Sequence, residues 1–324
     1  MFDAFRHRRQ RRTPRLKVMR TQLIRTATKR LDTFHAASYF SGIVSAEYDE
    51  IGLARPAQYF AARACALGAA SAELVAATFF SFNPDRIARV IPECWQVAPP
   101  GQVHAARVRG VRALLVALES SLDPNSASAL RGAAARTRSN LGAVLEAQSV
   151  SGRPLYAAHL SVFGAEAADR AEDDLFGLWV SATLLREFRG DGHIAALVSH
   201  GLSGLEASVL DCATGLAWRP SAARRSRGWG EDDWREVAGA LARRGLLSDE
   251  SDTAVLTEEG VSLKESLEVA TDATVASAWS RLDDAALAEI RRDAKLIAEI
   301  VATAQLIPQK LFGRDSAPES PQAA

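Results

Sequence analysis

Residues 184–197, LLREFRGDGHIAAL, hold the side chains best suited to chemistry. Arg186, Arg189, Asp191 and His193 surround Gly190-Asp191-Gly192, and this spacing reads as a tight turn between two helices, since glycine readily takes positive φ. Arg186 and Arg189 lie three apart, so they are neighbours on a helix face and suit bidentate capture of a carboxylate or phosphate. A helix restarting at Gly192-His193 would aim free N–H groups at the same anion. Asp191 would fix the tautomer of His193; if the site is catalytic, His193 carries the proton and Asp191 orients it. The alternative is structural: Asp191 caps the second helix while Arg186 pairs with Glu187 or a distant acid.

A second set lies upstream. His35 stands four residues before Tyr39, and Tyr59 four before Arg63, so each pair shares a helix face. Together with Arg186, Arg189, Asp191 and His193 they would line a pocket between two helical halves for a small anionic or aromatic molecule, in a sensor, a sequestering protein or a repurposed enzyme. Alternatively, the tyrosine hydroxyls and the imidazole are ordinary core groups with buried partners. Combining His35, His193 and His200 with Asp191 or Glu206 gives no metal-ligand spacing, so no metal is expected and any cofactor is undefined. No GxSxG elbow or phosphate-cradling glycine loop is present.

The elements that must position these groups are mainly helical, with apolar residues at three- and four-residue spacing. Residues 57–82 read as one or two helices, Asn83-Pro84 as a helix start, 96–103 as a loop, and 104–121 and 128–149 as further helices. Gly52-Leu53 and Gly201-Leu202 each precede a helix, a rhythm that suggests two pseudo-repeated units. EDDWREVAGALARRGLL (231–247) is amphipathic through Trp234, Val237 and Leu241 and stops at Gly245. Leu246-Leu247 and Ala254–Leu256 read as two strands around a polar turn, and Thr257 as the cap of the next helix.

Helix, hairpin, TEEG, helix resembles the MarR-type winged-helix family, in which a passage like RRGLL…LTEEG links the recognition helix to the wing. FHAASYF (34–40), YFAARACALG (59–68), FFSFNP (79–84) and LLREFRGDGH extend the likeness over residues 31–312, to a poorly characterised group of MarR-like helix-turn-helix proteins. That group usually carries histidine where this chain has Phe188. The resemblance implies a mainly α winged helix-turn-helix fold with a small β-wing in its C-terminal unit, and a ligand-responsive DNA-binding regulator is the corresponding functional alternative. The residues themselves disfavour DNA: the helix opens on Glu231, Asp232 and Asp233, and the wing, SDESDT, has three acids and no base. Arg224, Arg225 and Arg227 precede the helix in what reads as a solvated linker.

The chain has 324 residues and zero formal net charge, but residues 1–30 hold eleven Lys or Arg against Asp3, leaving 28 basic and 38 acidic side chains, a net of −10. The expected organisation is a basic disordered extension (1–30), an N-terminal helical unit (31–150), a C-terminal winged-helix unit (151–312) and a disordered tail (313–324). No apolar run is long enough for a bilayer, and Cys65, Cys94 and Cys212 lack metal or disulfide spacing, so a cytoplasmic setting is expected. A duplicated winged helix would act as a monomeric pseudo-dimer or as a homodimer.

Overall fold

A computed structural model describes residues 2–168 and 173–313. The tail expected from residue 313 lies, apart from Gly313, outside the described residues. The chain forms two compact units that interleave in sequence instead of dividing near residue 150: Met1–Glu47, Ala105–Asp191 and Asp272–Ile307 make the first, and Tyr48–His104, Gly192–Thr271 and Pro308–Ala324 the second. Four helices contribute residues to both units: α2 (Gly42–Glu50), α7 (Pro100–Ser120), α10 (Asp174–Ser199) and α14 (Glu258–Trp279).

The first unit is a helical bundle. Its α15 (Asp284–Thr303) packs against α1 (Phe2–Ala36) and α8 (Pro124–Glu146). Leu287, Ile290, Ala294, Ile297 and Val301 recur at three- and four-residue spacing and are buried, which is the pattern that seats one helix between two others. Asp293 on the same helix is 2 % exposed, and Arg136 of α8 grips both its oxygens at 2.9 and 3.1 Å. Such a bidentate pair fixes the register of two helices as well as their distance. The expected disordered extension is helical from Phe2, and its later part is docked. Ala27, Leu31 and Phe34 are buried, Arg20 donates to the Leu282 carbonyl at 2.6 Å, and Arg25 pairs with Asp272. The charge run obscured this apolar stripe.

The second unit holds α3 (Arg55–Ala64), α4 (Ala72–Thr78), α5 (Pro84–Ala88), α6 (Cys94–Val97), α11 (Gly204–Ala213), α12 (Pro220–Arg227) and α13 (Glu231–Arg243). Buried Leu205, Leu210, Trp234, Ala238, Leu241, Leu247 and Leu267 form its core around α11, α13 and the start of α14. The predicted caps are in place: Asn83 accepts from the Asp85 N–H, and the Thr257 hydroxyl accepts from Gly260 N–H at 3.1 Å; Ser203 and Glu206 add a capping box on α11. Pro100 opens α7 inside the segment expected to be a loop. The predicted hairpin is reduced to one antiparallel bridge, Leu247 with Leu256, beside a Ser248 N–H to Val255 carbonyl bond of 2.9 Å.

Local devices recur along the chain. After α2, Gly52 takes φ +80° and the Leu53 N–H reaches back to the Tyr48 carbonyl; after α10, Gly201 takes φ +68° and Leu202 reaches back to Leu197. Both are helix stops that only glycine adopts cheaply. Likewise Asp123 caps α8 and Asp283 caps α15, each after a leucine.

Candidate functional site

The helix carrying the arginine-rich motif does not break. α10 runs unbroken from Asp174 to Ser199, and neither Gly190 nor Gly192 has a positive φ. Two interior glycines cost about 1 kcal/mol each relative to alanine, but burial of Leu184, Leu185, Phe188, Ala196 and Leu197 outweighs that. On a continuous helix, residues two apart point in widely different directions, so Asp191 does not orient His193.

Asp191 instead serves another helix. It is buried, and its Oδ2 accepts the Tyr156 N–H at 2.9 Å in the first turn of α9 (Pro154–Ala168). A carboxylate there satisfies orphan N–H groups and faces the positive end of the helix dipole. Burial pushes the pKa of Asp191 up to about 6, with nearby Glu187 adding to the rise; the α9 N–H groups and Arg153 oppose it. Arg153 donates to the carbonyls of Phe188 (2.5 Å) and Thr274 (2.9 Å), and its own desolvation lowers its pKa.

Within the first unit, three of the expected residues converge. His35 is fully buried, with Nε2 2.9 Å from the Tyr39 hydroxyl and Nδ1 2.9 Å from Thr183 Oγ1. Thr183 donates to the Trp179 carbonyl at 2.9 Å, so a proton on His35 Nδ1 lets Thr183 accept and leaves Nε2 to accept from Tyr39. Trp179 stacks on the imidazole at 5.2 Å, and the Arg186 guanidinium lies 5.7 Å from the Tyr39 ring centre. Arg186 is also 2.9 Å from Asp32 and 2.6 Å from Glu187, while Arg189 faces Asp272 at 3.8 Å. The two arginines therefore meet carboxylates of the chain itself. Sequence reasoning missed the neighbouring buried pair Arg107–His159 (3.2 Å), which lies beside Trp179 and Phe163. Its residues sit far apart in the sequence, and no local pattern joins them.

The other expected residues belong to the second unit. Arg63, 6 % exposed, donates to the Tyr59 hydroxyl at 3.0 Å and stacks 4.3 Å from the Phe79 ring centre, among Phe60 and Phe82. His193 Nδ1 is 2.9 Å from Thr271 Oγ1, and His200 bridges the Ala196 carbonyl and Ser266. Among the described residues, no three His, Cys, Asp or Glu side chains gather as a metal site. The three cysteines are free and buried, and burial pushes the Cys94 thiol up to about 11.

The stretch expected to be a linker before α13 is α12, joined to it by Gly228-Trp229-Gly230. Gly228 takes φ +79° and returns its N–H to the Arg224 carbonyl. Two short helices joined by a three-residue, glycine-containing turn have the connection of a helix-turn-helix. The corresponding comparison agrees: the model of a helix-turn-helix family matches residues 24–308. The chain belongs to that family. No curated protein and no solved structure matches it.

The α12 arginines, expected in a solvated linker, are partly committed. Arg224 pairs with Asp252 of the hairpin at 2.5 Å, and Arg227 stacks 4.6 Å from Phe82 and 5.3 Å from Trp218. On α13, Arg235 pairs with Glu231 and Asp232 of its own helix. Beside the turn lies an open groove of about 470 Å³, lined by Leu205, Val237, Trp229, Asp85, Asp233 and Glu236 among others. No single described helix is long and apolar enough to cross a membrane.

Proposed function

We propose that this helix-turn-helix protein binds a small molecule and that its α13 does not dock a duplex. The observation carrying this reading is the charge of the surface that a MarR-like winged helix would turn to DNA. Glu231, Asp232, Asp233 and Glu236 are exposed on α13, and Asp249 and Glu250 are exposed on the hairpin. Phosphate neutralisation supplies most non-specific affinity for DNA, so each of these acids opposes docking. The adjoining groove, with apolar walls and a polar rim, is the size of a small-ligand site. The anionic ligand expected from Arg186 and Arg189 would have to displace Asp32, Glu187 and Asp272, so aromatic or cationic ligands fit better.

The second reading, a ligand-responsive DNA-binding regulator, is favoured by the family match and by exposed Arg225 on α12. Filter binding of the full chain to a random duplex at 50–300 mM salt separates the two. Little retention, with a shallow salt dependence, is expected. A log–log slope steeper than about −4 that flattens in R235A and R243A would mean several phosphates neutralised along α13 and would overturn the first reading.

A further inference from the structure

The groove beside the helix-turn-helix turn is lined by apolar and acidic side chains. Its apolar wall is Leu205 and Val237, and half-buried Trp229 lines it with an indole held in place by an N–H bond to the Ser81 carbonyl of 3.0 Å. Asp85, Asp233 and Glu236 supply three carboxylates, and no Lys, Arg or His is among the lining residues. Asp233 accepts from the Gly230 N–H, whereas the carboxylates of Asp85 and Glu236 engage no other described side chain. A neighbouring groove of about 320 Å³ differs: Arg235 and Arg243 stand there among Asp232, Glu236 and Glu250, so its charges are mixed.

Resting on the small-molecule reading above, we propose that the 470 Å³ groove binds an organic cation with an aromatic or branched apolar body. A preset indole attracts a cation through its ring quadrupole, and the apolar wall takes the uncharged part of the same molecule. The unpaired carboxylates at Asp85 and Glu236 give the charge preference. They repel an anion of equal size, which the arginine-rich motif of α10 had seemed to invite.

The test uses tetraphenylphosphonium and tetraphenylborate, near-isosteric ions of opposite charge, titrated calorimetrically into the full chain. The phosphonium is expected to bind at one site at least tenfold more tightly than the borate. In the double variant D85N/E236Q its affinity should fall about three- to tenfold, in line with two solvent-facing charge contacts. Both carboxylates are exposed, so these substitutions leave the core intact. Absent phosphonium binding, equal binding of the two ions, or binding unchanged in D85N/E236Q would each overturn the proposal. Preferred borate binding would remove the cation class while leaving the small-molecule reading in place. Failure of both ions together with steeply salt-dependent duplex retention would remove both.

Discussion

Asp191 shows how a residue picked out for chemistry does architectural work. Its carboxylate is buried at the start of α9, and its pKa rises from 3.8 to about 6 chiefly because burial penalises the charged form. The folded chain therefore holds this proton more tightly than the unfolded chain. The group's contribution to stability is best below about pH 4, falls as pH rises to about 6, and is flat above that. The gap between 3.8 and about 6 corresponds to at most roughly 3 kcal/mol. Asp191→Asn keeps a carbonyl acceptor for the Tyr156 N–H and removes the ionisation. Its urea-unfolding free energy should match the parent near pH 4 and exceed it by about 1–3 kcal/mol at pH 7. A difference independent of pH would show that Asp191 does not carry this titration. The residue types of the motif were readable from the sequence, but their partners were not. Asp32, Tyr156, Thr183 and Asp272 are brought in by tertiary packing, and spacing along the chain carries no trace of them.

Elements were readable where their ends are chemically marked. Asn83-Pro84, Gly201-Leu202, Gly245 and Thr257 each mark a boundary through a cap or a left-handed residue, and each boundary lies within a residue or two of the expected place. α10 was misread because Gly190 and Gly192 resemble a stop; burial along the helix decided the matter. α12 was misread because three arginines hid the apolar pair Ala222-Ala223. The same unit offers a test that separates capping from packing. Ser203→Ala removes the α11 cap and should cost about 1 kcal/mol. Gly204→Ala leaves the cap in place but puts a Cβ 1.8 Å from the Phe80 carbonyl oxygen, where the backbone itself must shift. It should cost more than 2 kcal/mol, and equilibrium unfolding midpoints should rank G204A below S203A. The reverse order would mean that α11 does not lie tightly on the Phe80 backbone.

For the whole molecule, zero net charge is a balance of opposites: a strongly basic N-terminal stretch and an acidic remainder that includes the surface of α13 and the hairpin. Seven of the basic residues fall at positions 2–17 of the sequence, before the Ala27, Leu31 and Phe34 stripe that docks α1. Such clusters of like charge attract polyanions without reading sequence, with an affinity that salt erodes. Any weak duplex retention by the full chain at 50 mM salt should therefore disappear when residues 2–17 are removed. It should persist in R235A and R243A, because Arg235 is already held by Glu231 and Asp232, and Arg243 stands beside Glu250 in the mixed-charge groove. Retention that survives the truncation but falls in R235A would place DNA contact on α13 after all.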